Sequence, residues 1–240
     1  MIIFQIKNIS TISMFCHKTT SSDKIDLSDA ISYEPEHFIR CHSKSNDPTD
    51  VKTQIWGVMF QPDPDDNNKT RSLVATCGGN SVCITDVTTG IVEIKYKDKD
   101  KNEIFFTLAW TTLTVDGRKI NVLATGGMQG EIKMIHPENR VCYNRWRAVD
   151  SKKTAVYSLV FHSSEASWLF CGTDDGLVTL WDIGTLTLPS YDGPRPKIIM
   201  KLSPNLGPVY NIAWWLDMNP TGFWQELRKV LWVGMWKQRR

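Results

Sequence analysis

Four six-residue stretches decide how this sequence is read: IWGVMF (55–60), FFTLAW (105–110), VYSLVF (156–161) and VYNIAW (209–214). Each is apolar at its first, fourth and sixth positions and aromatic at its second and sixth. Taking the last aromatic as the marker, Phe60 to Trp110 is 50 residues, Trp110 to Phe161 is 51 and Phe161 to Trp214 is 53. A near-constant period of this size marks one supersecondary unit used repeatedly, because each copy can bury its faces only against the next.

A second element follows the first three stretches: LVATCGGNSVCITD (73–86), VLATGGMQGEIKMIH (122–136) and WLFCGTDDGLVTLWD (168–182). The shared grammar is an apolar pair, small residues, a Gly/Asp/Asn turn and a β-type strand, and only the third copy ends in Trp-Asp, at Trp181-Asp182. A third element, GIVEIKYK (90–97) and RVCYNRWR (140–147), is less apolar and suits a water-exposed edge. Short strands separated by such turns, at or a little above the ~40–45-residue period of WD repeats, predict four-stranded antiparallel blades of a β-propeller. A blade held between two neighbours has no solvated side, which explains why IWGVMF is apolar on both faces. Trp181 is then a packing residue between blades, and Asp182 a structural hydrogen-bond acceptor.

The expected fold is therefore all-β, an incomplete WD-repeat β-propeller with about four blades of an expected seven. An open arc would leave apolar faces wet, and the sequence stops at KVLWVGMWKQRR (229–240), where the strand VLWVG has barely begun, so it reads as truncated. Residues 1–32 lack the repeat and contain the polar TTSSDKIDLSDA (19–30), which reads as a disordered or linker-like segment. The partial propeller spans 33–240, its first blade beginning near Tyr33 with HFIRC (37–41) as an early strand. The charged loops DPDDNNKTRS (63–72) and KDKDKNE (97–103) read as solvated. LPSYDGPRPK (188–197), with three prolines and a glycine, reads as a connection between blades.

The bulk properties narrow the function. With 41% hydrophobic residues the 240-residue chain can bury a sizeable core. Its net charge of +2 argues against a direct, sequence-specific nucleic-acid binder, which would carry a clustered basic face. Six scattered cysteines without a CxxC read as reduced thiols of an intracellular protein. No segment is long and apolar enough to predict a membrane span, and Gln5, Lys7 and Asn8 interrupt the mildly apolar start too early for a signal peptide. No phosphate-binding glycine loop and no nucleophile motif stands out, so neither an enzyme nor a cofactor is expected. HFIRCH brings His37, Cys41 and His42 close in sequence, but one cluster without a paired partner motif is weak ground for a metal site. His162 falls at a strand end, a common structural place, and the terminal KQRR is a scrap of a nuclear-targeting signal at most.

The phrases CGGNSVCITD and FFTLAW, within a run from YEPEHFIRC to LFCGTDDGLVTLWDIG over about 33–184, resemble the WD domain of the leucine-rich-repeat and WD-repeat family associated with the origin recognition complex. More distantly the run resembles the embryonic ectoderm development family of Polycomb repressive complex 2. The resemblance implies a chromatin-associated binding platform in the nucleus. Its implied partners are a histone H3 tail carrying trimethyl-lysine and subunits of the origin recognition complex, in heterochromatin or replication initiation. The alternative is a general protein-interaction scaffold that does not recognise methyl-lysine.

Position two of the repeated hexapeptide is Trp56, Phe106, Tyr157 and Tyr210. In a propeller it begins the innermost strand, so four aromatics would ring the mouth of the central channel. Aromatic faces attract a quaternary ammonium by about 0.5–2 kcal/mol per ring, depending on desolvation. In the Polycomb family the cage aromatics lie at this hexapeptide position, which implies the same role for Trp56 and Phe106. Tyr210, or the neighbouring Trp214 and Trp215, could complete the set. The competing reading makes the position-two rings core residues like Phe60, Trp110, Phe161 and Trp214.

Overall fold

The computed structural model describes residues 2–4, 36–43, 47, 49–50, 53–66, 69–149, 153–188, 190, 193–203, 207–213 and 232–234. The described elements are all strands: β1 (Ile2–Phe4), β2 (His37–Ile39), β3 (Ile55–Pro62), β4 (Thr70–Gly78), β5 (Ser81–Asp86), β6 (Val92–Lys97), β7 (Phe105–Val115), β8 (Arg118–Gly127), β9 (Glu131–His136), β10 (Val141–Arg147), β11 (Val156–Phe161), β12 (Trp168–Thr173), β13 (Val178–Asp182), β14 (Lys197–Leu202), β15 (Asn211–Ala213) and β16 (Trp232–Gly234). Strands β3 to β6, β7 to β10 and β11 to β14 form three antiparallel four-stranded blades in sequence order, and β15 pairs with β16. The three blades, the outer strands within GIVEIKYK and RVCYNRWR, and the late strand Trp232–Gly234 follow the repeat.

Two boundaries differ from expectation. The connection 188–197 lies within the third blade, because KIIMKL pairs with β13 as its fourth strand. Its alternating, half-exposed residues are those of an outer edge, a copy the sequence motif had hidden. HFI does form a strand, but it pairs with Ile2–Phe4, and the first blade begins at Ile55. The linker reading of the rest of 1–32, and Tyr33, Trp214 and Trp215, lie outside the described residues.

The core is laid down between blades. Ala75, Cys77, Val82 and Ile84 of the first blade meet Leu108, Trp110, Leu123 and Ile135 of the second. On its other face the second blade offers Val122, Ala124, Ile132 and Met134 to Val156, Leu159, Leu169 and Trp181 of the third. Phe170, Val178 and Leu180 then meet Val209 and Ile212. Both faces of the inner strands of the second and third blades are thus largely dry, as a sandwiched blade requires. Trp181, 5% exposed, packs across the gap on Trp146 with ring centroids 5.8 Å apart, and its indole N–H donates to Thr179 Oγ1 at 2.7 Å. Asp182 accepts the Gly184 amide at 2.9 Å, and His162 Nδ1 accepts the amides of Ser164 and Glu165 at 3.1 Å. Phe60 is only half-buried, whereas Trp110 and Phe161 are core. Val58 and Met59, on the same inner strand as Phe60, are exposed.

From the second copy onward, adjacent inner strands are joined by a device that occurs twice. The third hexapeptide residue offers its hydroxyl to the fourth residue of the next copy. Thr107 Oγ1 accepts the Leu159 amide at 3.1 Å, and Ser158 Oγ accepts the Ile212 amide at 2.9 Å. These amides lie where strands of neighbouring blades face each other without a shared ladder, so a side chain must satisfy them. Ser158→Ala leaves the Ile212 amide buried and unpaired, and is expected to cost about 1–3 kcal/mol in a denaturant titration.

Beside the inner strands lies a polar cluster that the charge run 97–103 did not announce. Lys133 is 1% exposed, and its Nζ sits 2.8 Å from Glu103 Oε2 and 2.9 Å from Asp98 Oδ2. Glu103, also 1% exposed, accepts the amides of Ile104 and Gln129 through Oε1. The solvated-loop reading therefore holds for Lys99, Lys101 and Asn102 but is corrected for Asp98 and Glu103, which turn inward because a buried ammonium needs compensation.

Candidate functional site: an aromatic row at the channel strands

Trp56, Phe106 and Tyr157 share a backbone peculiarity. In the first blade Ile55 pairs with Gly78 and Gly57 with Cys77, so Trp56 is an extra, unpaired residue. Phe106 is skipped in the same way between Phe105–Gly127 and Thr107–Gly126, and Tyr157 between Val156–Thr173 and Ser158–Gly172. A one-residue bulge re-aims the side chain it carries, and here it does so at one position in three successive blades. Glycine opposite the bulge is required in the first two blades: a Cβ on Gly78 would strike the Gln54 carbonyl, and one on Gly127 the Ile104 carbonyl.

The re-aimed rings form a continuous row. Trp56 meets Phe106 edge-on with centroids 5.2 Å apart; Phe106 meets Tyr157 at 5.4 Å, and Tyr157 meets Tyr210 at 4.9 Å. All four rings singled out by the repeat are thus brought together. Trp56 and Tyr210 at the ends are 54% and 46% exposed, and Phe106 and Tyr157 between them are half-buried. An acid stands next to the row: the charge of the exposed Asp174 is felt at the Tyr157 phenol. Burial, followed by the charge of Asp174, pushes that phenol above its ordinary value, so it remains a neutral donor. Four π-faces and one carboxylate, with no described cation among them, make a surface suited to a cationic ligand carrying apolar substituents.

The HFIRCH cluster is rearranged by the fold. His37 turns toward the Thr88 carbonyl and the Gly90 backbone. Cys41 and His42 instead meet Cys83 on β5, with their ligand atoms all within 4.8 Å of one another and all three residues buried. A hydrogen bond with Cys83 holds the Cys41 thiol below its usual value and pushes that of Cys83 up. Burial raises the Cys77 and Cys171 thiols to about 12, which makes them inert packing groups. The five described cysteines form no disulfide. Among the described residues no helix is long and apolar enough to cross a membrane.

Three blades, dry inter-blade cores and a Trp-Asp strand end define a WD-repeat β-propeller, a class that works through protein interaction. The family model for the WD domain of leucine-rich repeat and WD repeat-containing protein 1 matches residues 23–193, and the chain belongs to that family. It is 46% identical over 182 residues to the Xenopus laevis leucine-rich repeat and WD repeat-containing protein 1, a match covering 73% of this chain and 24% of the relative. The Homo sapiens protein of the same name is 39% identical over 168 residues, covering 68% and 25%. The Polycomb protein esc of Musca domestica is 29% identical over 158 residues, covering 63% of this chain and 33% of that protein. The chain thus spans about a quarter of the length of the curated family relatives it matches.

Proposed function

We propose that this chain is a chromatin-associated binding platform whose aromatic row takes a trimethylated lysine of a histone H3 tail, working in the nucleus beside the origin recognition complex. The observation that carries the reading is the recurrence of an aromatic bulge residue in three blades, with the rings in one row and Asp174 at its edge. Bulge-borne rings are displaced from the core-facing register, which favours display over packing. The distant likeness to a Polycomb protein supports the chromatin setting, and the family's association with the origin recognition complex is expected from the resemblance of its WD domain.

Neighbouring rings touch, so the ammonium lies against the solvent side of the row instead of slipping between two rings. Methylation keeps the charge and removes the N–H donors, so the ligand makes no demand for acceptors the row lacks. The Asp174 carboxylate adds attraction that salt weakens. The test separates binding from stability. Trp56, more than half exposed, is expected to lose under about 1 kcal/mol of stability as Trp56→Ala, like an ordinary surface site. The same variant is expected to lose most of its preference for a trimethylated H3 peptide in a fluorescence titration. A large loss of stability with an unchanged preference would make the rings packing residues and leave a platform without methyl-lysine recognition.

A further inference from the structure

We propose that Cys41, His42 and Cys83 form a binding site for a thiophilic divalent cation, zinc by its ligand chemistry, which staples segment 36–43 onto the outer face of the first blade. The site stands on the far side of that blade from the second. Val58, Thr76, Cys83 and Lys95 are cross-strand neighbours and therefore share one face, opposite to the face that carries Ala75 and Ile84. Residues 39–42 lie over this face: Ile39 and Cys41 pack on Cys83 and Val92.

The ligand atoms are chosen by the hydrogen bonds around them. His42 Nδ1 is 3.1 Å from the Gly78 carbonyl, which can only accept, so Nδ1 carries a proton and, in the neutral ring, Nε2 holds the lone pair. Ser81 Oγ, 2.9 Å from the same nitrogen, completes the arrangement that fixes the ring. This is the outer shell expected of a metal-bound imidazole, whose second nitrogen donates to a backbone carbonyl. Nε2 points at Thr76 Oγ1, 2.8 Å away, and that hydroxyl is 3.9 Å from Cys41 Sγ. Both thiols and the imidazole thus converge within 4.8 Å of one another, with the Thr76 hydroxyl beside Nε2 and Cys41 Sγ and the Cys83 thiol donating to the Cys41 carbonyl at 3.4 Å. Two thiolates, a neutral imidazole and a divalent ion sum to zero charge, which a buried site requires. Cys₂His with an oxygen as fourth ligand suits zinc, and its soft sulfurs disfavour magnesium and calcium. Binding releases to solvent the protons that the thiols still carry and changes no oxidation state.

Position supports the assignment. Cys83 occupies in β5 the place that Lys133 occupies in β9, each opposite the threonine of the preceding strand, Thr76 and Thr125. In the second blade the Asp98–Glu103 segment closes on Lys133 as an ion cluster. In the first blade the segment before the inner strand brings a cysteine and a histidine to the equivalent spot, so the metal would be that blade's counterpart of the staple.

The test uses the full 240-residue chain, reduced and stripped of metal, titrated with cobalt(II) and then zinc(II). One equivalent of cobalt is expected to give thiolate-to-metal charge transfer and the visible bands of tetrahedral coordination, and one equivalent of zinc to abolish both. His37→Ala should bind as the wild type does, and Cys83→Ser should lose the charge-transfer band. Should Cys83→Ser fail to fold, X-ray absorption of the zinc-loaded wild type decides: a shell with two sulfurs supports the site, and a shell of nitrogen and oxygen alone overturns it. Absence of stoichiometric uptake, or uptake unchanged in a folded Cys83→Ser, also overturns it.

Discussion

Replacing Lys133 by alanine is expected to lower the stability of this chain by about 3–5 kcal/mol, read as a fall in urea midpoint with little change in slope. The side chain is 2% exposed, and its ammonium lies 2.8 Å from Glu103 and 2.9 Å from Asp98. Removing it leaves two inward-facing carboxylates without their counter-ion, and the ring of Phe105 without the cation 5.2 Å from its centre. The double change Lys133→Met, Glu103→Gln should recover part of the loss, because the cost resides in the stranded charge more than in the missing attraction. The effect should depend on pH in a definite sense. Burial alone would raise Asp98 and lower Lys133, but the Asp100 amide and Lys133 bring Asp98 below its usual value, and Glu103 and Asp98 hold Lys133 above its own. The Asp98 contribution is therefore complete above the unfolded carboxylate value of about 3.9 and is lost as pH falls through the lower folded value. That of Lys133 is complete below about 10.4 and is lost as pH rises through the higher folded value.

The second large effect is on binding. Phe106 touches both Trp56 and Tyr157, so Phe106→Ala opens the middle of the row instead of trimming its end. A single ring contributes about 0.5–2 kcal/mol to a cation, which is about a 2- to 30-fold loss of affinity. Phe106→Ala should reach the upper part of that range, because the two rings that lean on it also lose their positions. Trp56→Phe should retain most of the preference for a trimethylated peptide and Trp56→Leu should not, since leucine keeps apolar area without the π-face. Isothermal titration of the three variants against the same peptide checks both statements.

The repeat made most of the architecture legible because burial writes it into the strands. FFTLAW and VYSLVF are apolar on both sides because a sheet lies on each, whereas IWGVMF carries the same pattern with Val58 and Met59 exposed, and the Gly/Asp turns punctuate the hairpins. The four rings were legible for the same reason: position two of each copy is fixed by the period. Their bulges were not, because a register shift depends on how Gly78, Gly127 and Thr173 pair across the sheet. The edge strand β14 escaped because edges lack a repeated apolar pattern. The inward turn of Asp98 and Glu103 was hidden in a charge run that resembles any solvated loop. The legible signal lay elsewhere, in Lys133, a lone lysine within the buried run IKMIH, where a charge calls for a partner. Cys83 could not be joined to Cys41 and His42 by spacing, since about forty residues separate them in sequence.

The most direct measurement of the central claim is a paired titration of the wild-type chain with two histone H3 peptides that differ only in trimethylation of one lysine. An aromatic row that reads a quaternary ammonium predicts tighter binding of the trimethylated peptide by 10-fold or more, a factor that about 1.4 kcal/mol from one or two of the rings already supplies. Equal affinity for the two peptides, with the chain folded, would contradict it.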